Sequence, residues 1–345
     1  MKSQLKNVWE DIISLDNFLG AWREFICGKR ARRDVQDFSV SFMDNILSLR
    51  DDLAKHTYKH GDYQAFCVDD PKPRIIHKAS VRDRLLHRAI YRVLSPFFDR
   101  TFIADSFSCR LNKGTHKAIN KFAAAVYKVS KNDTKACWVL KCDIKRFFHS
   151  IDHDILVKIL AEYVPDQEIL ALLKSVISSF SFNAINTGLP LGNLTSQLFA
   201  NIYLNRLDQF VKHRVKAQCY IRYADDFVIL SENKDDLMRK LSLMGEFLRK
   251  ELRLVLHSDK VSIKKLSSGI DFLGMVNFFH FRVLRTKTKR RMFRVMAEKY
   301  LNVRRGLLSG ETFNQGLQAY FGILKHCNGH KEFLSLLRKY DKIIV

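Results

Sequence analysis

Apolar and polar positions alternate from Trp138 to Ile144: Trp138, Leu140, Cys142 and Ile144 lie in one phase, Val139, Lys141 and Asp143 in the other. A period of two predicts a half-buried strand, so Asp143 is expected to point away from the apolar face. Further on the period lengthens. Between Thr195 and Lys212 the residues Leu198, Phe199, Ile202, Leu204, Leu207 and Phe210 fit a helix, with Asn193 or Thr195 placed to cap its start. Cys219 to Leu230 returns to strand character, as CYIRY and DFVIL around a tight turn. Upstream, residues 1–62 read as helical from the spacing of Trp9, Ile12, Ile13, Leu15, Phe18 and Leu19. An extended piece ending at Pro73, the β-branched pair Ile75-Ile76 and a basic helix from Val81 to Leu94 follow. On that helix Arg82, Arg84, His87, Arg88 and Arg92 read equally well as a phosphate path or as a solvated face.

Composition adds a partner to this pattern. With 47% hydrophobic residues, a chain of 345 is long enough for two or three packed subdomains, and no tract is polar enough to be plainly disordered. Lys and Arg outnumber Asp and Glu by 59 to 36, a formal charge of +23, which points to a polyanion: nucleic acid or an anionic membrane. Nucleic acid is the better reading, since no run of about 18 apolar residues is present to span a bilayer. The N-terminus MKSQLKNVWEDIISLDNFL carries acids inside its apolar pattern, unlike a signal peptide, and a cytoplasmic location is expected. Cys27, Cys67, Cys109, Cys137, Cys142, Cys219 and Cys327 are dispersed without a C-x-x-C pair, so they read as core residues or free thiols of a reducing compartment. The densest charge lies near the C-terminus, where Arg285, Lys287, Lys289, Arg290, Arg291, Arg294, Lys299, Arg304 and Arg305 face only Glu298. On helices, that density suits a surface that follows a phosphate backbone.

The chemistry is suggested by adjacent carboxylates. Asp225 and Asp226 sit between Tyr223-Ala224 and the apolar run Phe227-Val228-Ile229-Leu230, where charge is costly unless a cation compensates it. Nucleotidyl transfer uses two Mg²⁺ ions about 4 Å apart, held by hard carboxylate ligands, and Asp143 on a second strand is the candidate third ligand. An Asp-Asp pair alone is weak evidence, because turns and caps use the same residues. A two-residue hairpin turn prefers Gly where this chain has Ala224, so a strained turn is expected.

In order, KPRII (72–76), SFSCRLNKGTH (106–116), LKCDIKRFFHSID (140–152), GLPLGNLTSQLFANIYLNRLD (188–208), YADD (223–226), LRLVLHSDK (252–260) and GIDFLG (269–274) resemble the seven-block fingers and palm of bacterial reverse transcriptases, with a group II intron-like palm. The resemblance implies an α+β, right-hand polymerase: a palm of antiparallel sheet backed by helices, fingers before it, and a helical thumb after. The corresponding plan is an N-terminal helical extension at 1–62, fingers with the start of the palm at 63–137, palm at 138–280 with a fingers insertion at about 153–188, and a basic thumb at 281–345. It further implies that Asp143, Asp225, Asp226 and the Ile144 carbonyl hold two Mg²⁺ ions, for which Mn²⁺ can substitute, and that Lys260 protonates departing pyrophosphate. Lys72 and Arg74 resemble the triphosphate grip, and Arg110, Leu191 and Gln197 match further nucleotide-binding positions. Phe148 resembles the gate beneath the sugar, whereas Phe147 reads as core. Phe272, Leu273 and Gly274 resemble the primer grip, though FLG reads equally as core; Arg285, Lys287, Lys289, Arg290, Arg291 and Arg294 are the expected nucleic-acid face.

The fourth block departs from the common P-Q-G and S-P text: here it reads Pro190-Leu191-Gly192 and Ser196-Gln197. L-G-N-L-T-S-Q resembles the reverse transcriptases of diversity-generating retroelements, which copy a template RNA with errors at adenines and work with a small basic accessory protein. Defence-associated bacterial reverse transcriptases share parts of the pattern, and an inactive RNA-binding scaffold is the rival from another class. Expected partners are template RNA, an RNA–DNA duplex, dNTPs and an accessory protein or structured non-coding RNA, with no membrane. No ribonuclease H, maturase or endonuclease extension is expected after the thumb.

Overall fold

The computed structural model describes residues 4–70, 72–182 and 186–340. Four helices come first: α1 (Trp9–Ile13), α2 (Leu15–Phe25), α3 (Arg33–Val40) and α4 (Phe42–Ala54). An antiparallel hairpin, β1 (Gln64–Val68) with β2 (Arg74–Lys78), leads into the long α5 (Val81–Thr101) and then α6 (Thr115–Val129). The middle of the chain runs β3 (Trp138–Asp143), α7 (Phe147–Ser150), α8 (His153–Ala161), α9 (Gln167–Ser178), α10 (Leu194–His213), β4 (Cys219–Tyr223), β5 (Asp226–Ser231) and α11 (Lys234–Leu252). Four short strands, β6 (Ser262–Lys265), β7 (Ile270–Phe272), β8 (Met275–Asn277) and β9 (Arg282–Leu284), precede α12 (Thr286–Arg304), α13 (Gly310–Leu324) and α14 (His330–Tyr340).

Local chemistry accounts for the boundaries. The Ser14, Ser80, Asp166 and Asn233 side chains accept hydrogen bonds from the first turns of α2, α5, α9 and α11, satisfying donors that have no partner within the helix. Asn193 stands at the cap position of α10, but its side chain does not cap: Nδ2 donates instead to the His77 carbonyl of β2 at 3.1 Å. Thr195 lies inside the helix.

The central sheet is antiparallel, in the order β4-β5-β3-β6. Its alternation sorts two cores. Leu140, Cys142, Tyr220, Phe227 and Ile229 face the helical layer that contains Phe199, Ile202 and Leu207 of α10. Val139, Ile221, Val228 and Leu230 face Phe122 of α6 and Phe272 of the second, three-stranded sheet. This corrects the half-buried strand: β3 is covered on both faces, because α6 and β7 close the side that its alternation left polar. Asp143 is accordingly only 8% exposed.

The basic residues of α5 are also corrected. Arg82 pairs with Asp52, Arg84 with Asp34, and Arg88 and Arg92 with Glu24, so these cations tie α5 to the first four helices. His87 is buried against His60, and burial, reinforced by His60, pushes its pKa down to about 3. The three C-terminal helices enclose a core of their own, with Met292, Met296, Phe313, Leu317, Phe321, Leu336 and Tyr340. All seven cysteines are unpaired, with Cys137, Cys142 and Cys219 buried. Among the described residues no helix is long and apolar enough to cross a membrane.

Candidate active site at the end of the central sheet

Strand register brings the acids together. Asp143, the last residue of β3, lies directly across from Asp226, the first of β5, and Asp226 also pairs with Tyr223 at the end of β4. Ala224 and Asp225 form the two-residue turn between those strands. Ala224 has φ +54°, the left-handed region that hairpin turns demand and that a Cβ disfavours. Three carboxylates thus occupy one corner of a sheet whose interior is apolar.

Burial dominates their electrostatics. It raises the Asp225 pKa, with the neighbouring Asp143 charge adding to the effect. Asp226 is pushed up to about 6, chiefly by burial and then by Asp225 and Asp143, against the opposing pull of Lys141. Lys260 Nζ donates to Asp143 Oδ1 at 2.7 Å, and the His257 N–H donates to the Asp143 carbonyl at 2.8 Å. Ile144 forms an isolated bridge with Leu256, so residues 256–260 run beside the end of β3. Among the described residues, no three His, Cys, Asp or Glu side chains are gathered as a ready metal cluster.

Beneath the turn lies a group that motif reading passed over. Arg222 of β4 is fully buried, as is Asp208 of α10, and the two make a two-pronged ion pair. The signal was present in the sequence: Arg222 shares the inward phase of Tyr220, where an apolar residue is expected.

A cleft of about 680 Å³ opens beside Asp226. Lys72, Arg74, Lys141, Asp226, Leu273 and Gly274 line it, together with the acids Asp70 and Asp271. Arg285, Lys287, Arg290, Arg291 and Arg294 enter from the start of α12. Leu273 and Gly274, with φ +51° and +84°, form the turn between β7 and β8, while Phe272 is wholly buried against Phe122. Of the FLG triplet, then, the turn reaches the cleft and the phenylalanine is core.

Lys289, Arg110 and Gln197 lie elsewhere. Lys289 is held by Glu332 of α14 at 2.5 Å. Arg110 turns inward: Nε bonds Asp99 Oδ1 at 2.6 Å, and its remaining donors reach the carbonyls of Asp99, Ile103 and Ser106. Gln197 lines a separate hollow with Arg88, Arg92 and Arg110. The Leu191 carbonyl accepts the His77 N–H at 3.1 Å, which docks the Leu191-Gly192 turn on β2. Phe148 is half-buried edge-on to the buried Phe147, with ring centroids 5.4 Å apart.

Comparison with known proteins gives the family. The family described as reverse transcriptase (RNA-dependent DNA polymerase) matches residues 59–277. Protein YkfC of Escherichia coli (strain K12) is 24% identical over 265 residues, covering 66% of this chain and 69% of that protein. The group II intron-encoded protein LtrA of Lactococcus lactis subsp. cremoris is 23% identical over 280 residues, 62% of this chain but 45% of LtrA. The retron Ec73 reverse transcriptase of Escherichia coli is 28% identical over 232 residues, covering 60% and 67%. Among solved structures, apo telomerase from Candida tropicalis, truncated from its C-terminal domain, gives a TM-score of 0.48 at 13% identity, over 70% of this chain and 60% of that one. Since the family match takes in well over half of its length, the chain belongs to the reverse transcriptase family.

Proposed function

We propose that this RNA-directed DNA polymerase makes cDNA from a template RNA at the Asp143, Asp225 and Asp226 corner. The supporting observation is the pairing of Asp143 with Asp226, with Asp225 in the adjoining turn, where Asp226 lines a cleft rich in Lys and Arg. Partial burial disfavours the ionised forms of Asp225 and Asp226, and a divalent cation would stabilise those carboxylates as hard oxygen donors, so the residues fit two Mg²⁺ ions, or Mn²⁺ in their place. Bound there, with the Ile144 carbonyl completing the set, such ions supply charge stabilisation to the attacking and leaving oxygens.

The chain's own side chains do the rest. Arg74 offers a planar fork and Lys72 a mobile charge to the incoming triphosphate. Lys260, whose ammonium rests on Asp143, delivers a proton to departing pyrophosphate. Phe148 lies under the sugar and excludes a ribose 2′-OH. The Leu273-Gly274 turn steadies the primer end, and the first turns of α12, as a thumb, follow the duplex backbone. Asp225→Asn is expected to abolish nucleotide addition while the protein stays folded and bound to RNA. Extension by the folded variant would remove the site assignment.

The biological role is proposed as error-prone copying in a diversity-generating retroelement, supported by the text Leu191-Gly192-Asn193-Leu194-Thr195-Ser196-Gln197. Leucine at 191 offers no hydrogen bond where glutamine offers several, so the gap between right and wrong pairs narrows by about 1 kcal/mol. Leu191→Gln should therefore lower misincorporation several-fold, most at template adenines, in deep-sequenced cDNA from one defined RNA. Equal, low error rates in both would favour the defence-associated alternative. An accessory protein or structured RNA is the partner this reading requires.

A further inference from the structure

We infer that Arg222 is a positioning residue for the catalytic turn, acting through the Ala224 carbonyl. The inference rests on Asp225 being a metal ligand, as proposed above. Arg222 and Asp208 are both 0% exposed, the least favourable setting for a charge in this fold. The pair is complete: Nε donates to Asp208 Oδ1 and Nη2 to Oδ2, each at 2.7 Å, and Tyr220 Oη donates to Oδ1 at 2.7 Å. That geometry uses one edge of the guanidinium and leaves Nη1 directed elsewhere.

Nη1 donates to the Ala224 carbonyl at 3.1 Å and to Asn201 Oδ1 at 3.2 Å. Asn201 is itself fixed, its Nδ2 donating to the Ser108 carbonyl at 2.9 Å. The Arg222 backbone is held as firmly: its N–H donates to the Asp105 carbonyl, and its own carbonyl accepts from Phe107, each at 2.9 Å. β4 is an edge strand, and this segment covers the edge. A guanidinium anchored to Asp208 and Asn201 of α10, on a backbone held by residues 105–107, therefore reaches the peptide that carries the strained Ala224 and leads directly into Asp225.

Stability alone is a weak reason for such a pair, since well-packed apolar side chains can replace a buried ion pair without loss. Geometry is a stronger one. A catalytic carboxylate must be held within about 0.5 Å of its working place, and an Ala at positive φ has less reason than Gly to stay there unaided. The fork restrains the carbonyl, and the restraint sets where the Asp225 side chain starts.

The test compares Arg222→Lys, which keeps the cation but loses the fork, with the apolar replacement Arg222→Met/Asp208→Leu. Mn²⁺ binding to the protein without substrate is read by electron paramagnetic resonance, beside melting temperature, template–primer affinity and kcat. Arg222→Lys is expected to weaken Mn²⁺ binding about tenfold and lower kcat by up to about a hundredfold, the scale of a small misplacement, with template–primer affinity unchanged. If Arg222→Lys does not fold, the double variant decides: parental stability with weak Mn²⁺ binding and low kcat supports positioning. Parental Mn²⁺ binding and kcat in any folded variant, or a double variant that does not fold, overturns the proposal and leaves Arg222 a core residue. An active Asp225→Asn is the separate result that would defeat the metal-ligand reading itself.

Discussion

Asp70 and Arg291 grip one another across the mouth of the cleft, with Nε to Oδ1 at 2.6 Å and Nη2 to Oδ2 at 2.5 Å. One residue follows β1 and the other rides on α12, so the planar fork joins the β1–β2 hairpin to the C-terminal helices. Arg291 lowers the Asp70 pKa, chiefly through these hydrogen bonds. Both side chains remain well exposed, so the pair is a weak lock that a phosphate can displace.

Asp70→Asn should free Arg291 for a phosphate and tighten template–primer binding several-fold at low ionic strength, the advantage fading as salt screens it. Fluorescence anisotropy across a salt series measures this. Unchanged or weaker low-salt affinity would mean that the contact does not compete with nucleic acid.

Replacing Arg285, Lys287, Arg290 and Arg294 together should weaken binding to all sequences alike. The slope of log affinity against log salt should fall by about 0.9 for each lost contact to a DNA-like duplex. Lys289→Ala is the internal comparison: its ammonium is already held by Glu332, so it should alter melting more than the salt slope. An unaltered slope in the fourfold variant would move the duplex elsewhere.

The contribution of Asp226 to metal-free stability should fall as pH rises from about 4 to about 6. A free Asp titrates near about 3.9, whereas burial lifts Asp226 to about 6, so within that window the native state keeps a proton that the unfolded chain releases. The stabilising contribution is complete below the window and gone above it, where Asp226 faces Asp225 and Asp143 with only Lys141 and Lys260 opposing. A divalent cation cancels that cost, so Mg²⁺ should raise the melting temperature more at pH 7.5 than at pH 5. Asp226→Asn should remove most of the difference; thermal melts showing the reverse order would refute the assignment.

Phe148→Ala should admit ribonucleotides, because the shortened side chain leaves room for a 2′-OH. The ratio of kcat/KM for dNTP over NTP is expected to drop by about tenfold or more. A parental ratio would identify Phe148 as packing for Phe147.

The carboxylate corner was legible in the sequence because strand period and turn length are local properties. CYIRY and DFVIL around a two-residue turn place Asp225 and Asp226 at a strand end, and the alternation through β3 put Asp143 on a strand of its own. Ala224 in a turn that favours glycine foretold the positive φ. The antiparallel sheets, the helices and the family were likewise within reach, since ordered motifs carry them.

Which charge meets which was decided only by the tertiary structure. Arg82, Arg84 and Arg92 looked free for phosphate because their partners Asp52, Asp34 and Glu24 lie 30, 50 and 68 residues away in the chain. Arg110 was expected at the nucleotide and Lys289 and Arg291 at the nucleic acid, and each is engaged within the fold. Periodicity reports how a backbone segment is buried; it says nothing about the element that covers it. Hence β3 read as half-buried until α6 and β7 closed its second face, and Arg222 read as an ordinary strand residue until α10 set Asp208 beneath it. A side chain's charge is written in the sequence, but its availability depends on what folding brings within about 3 Å of it.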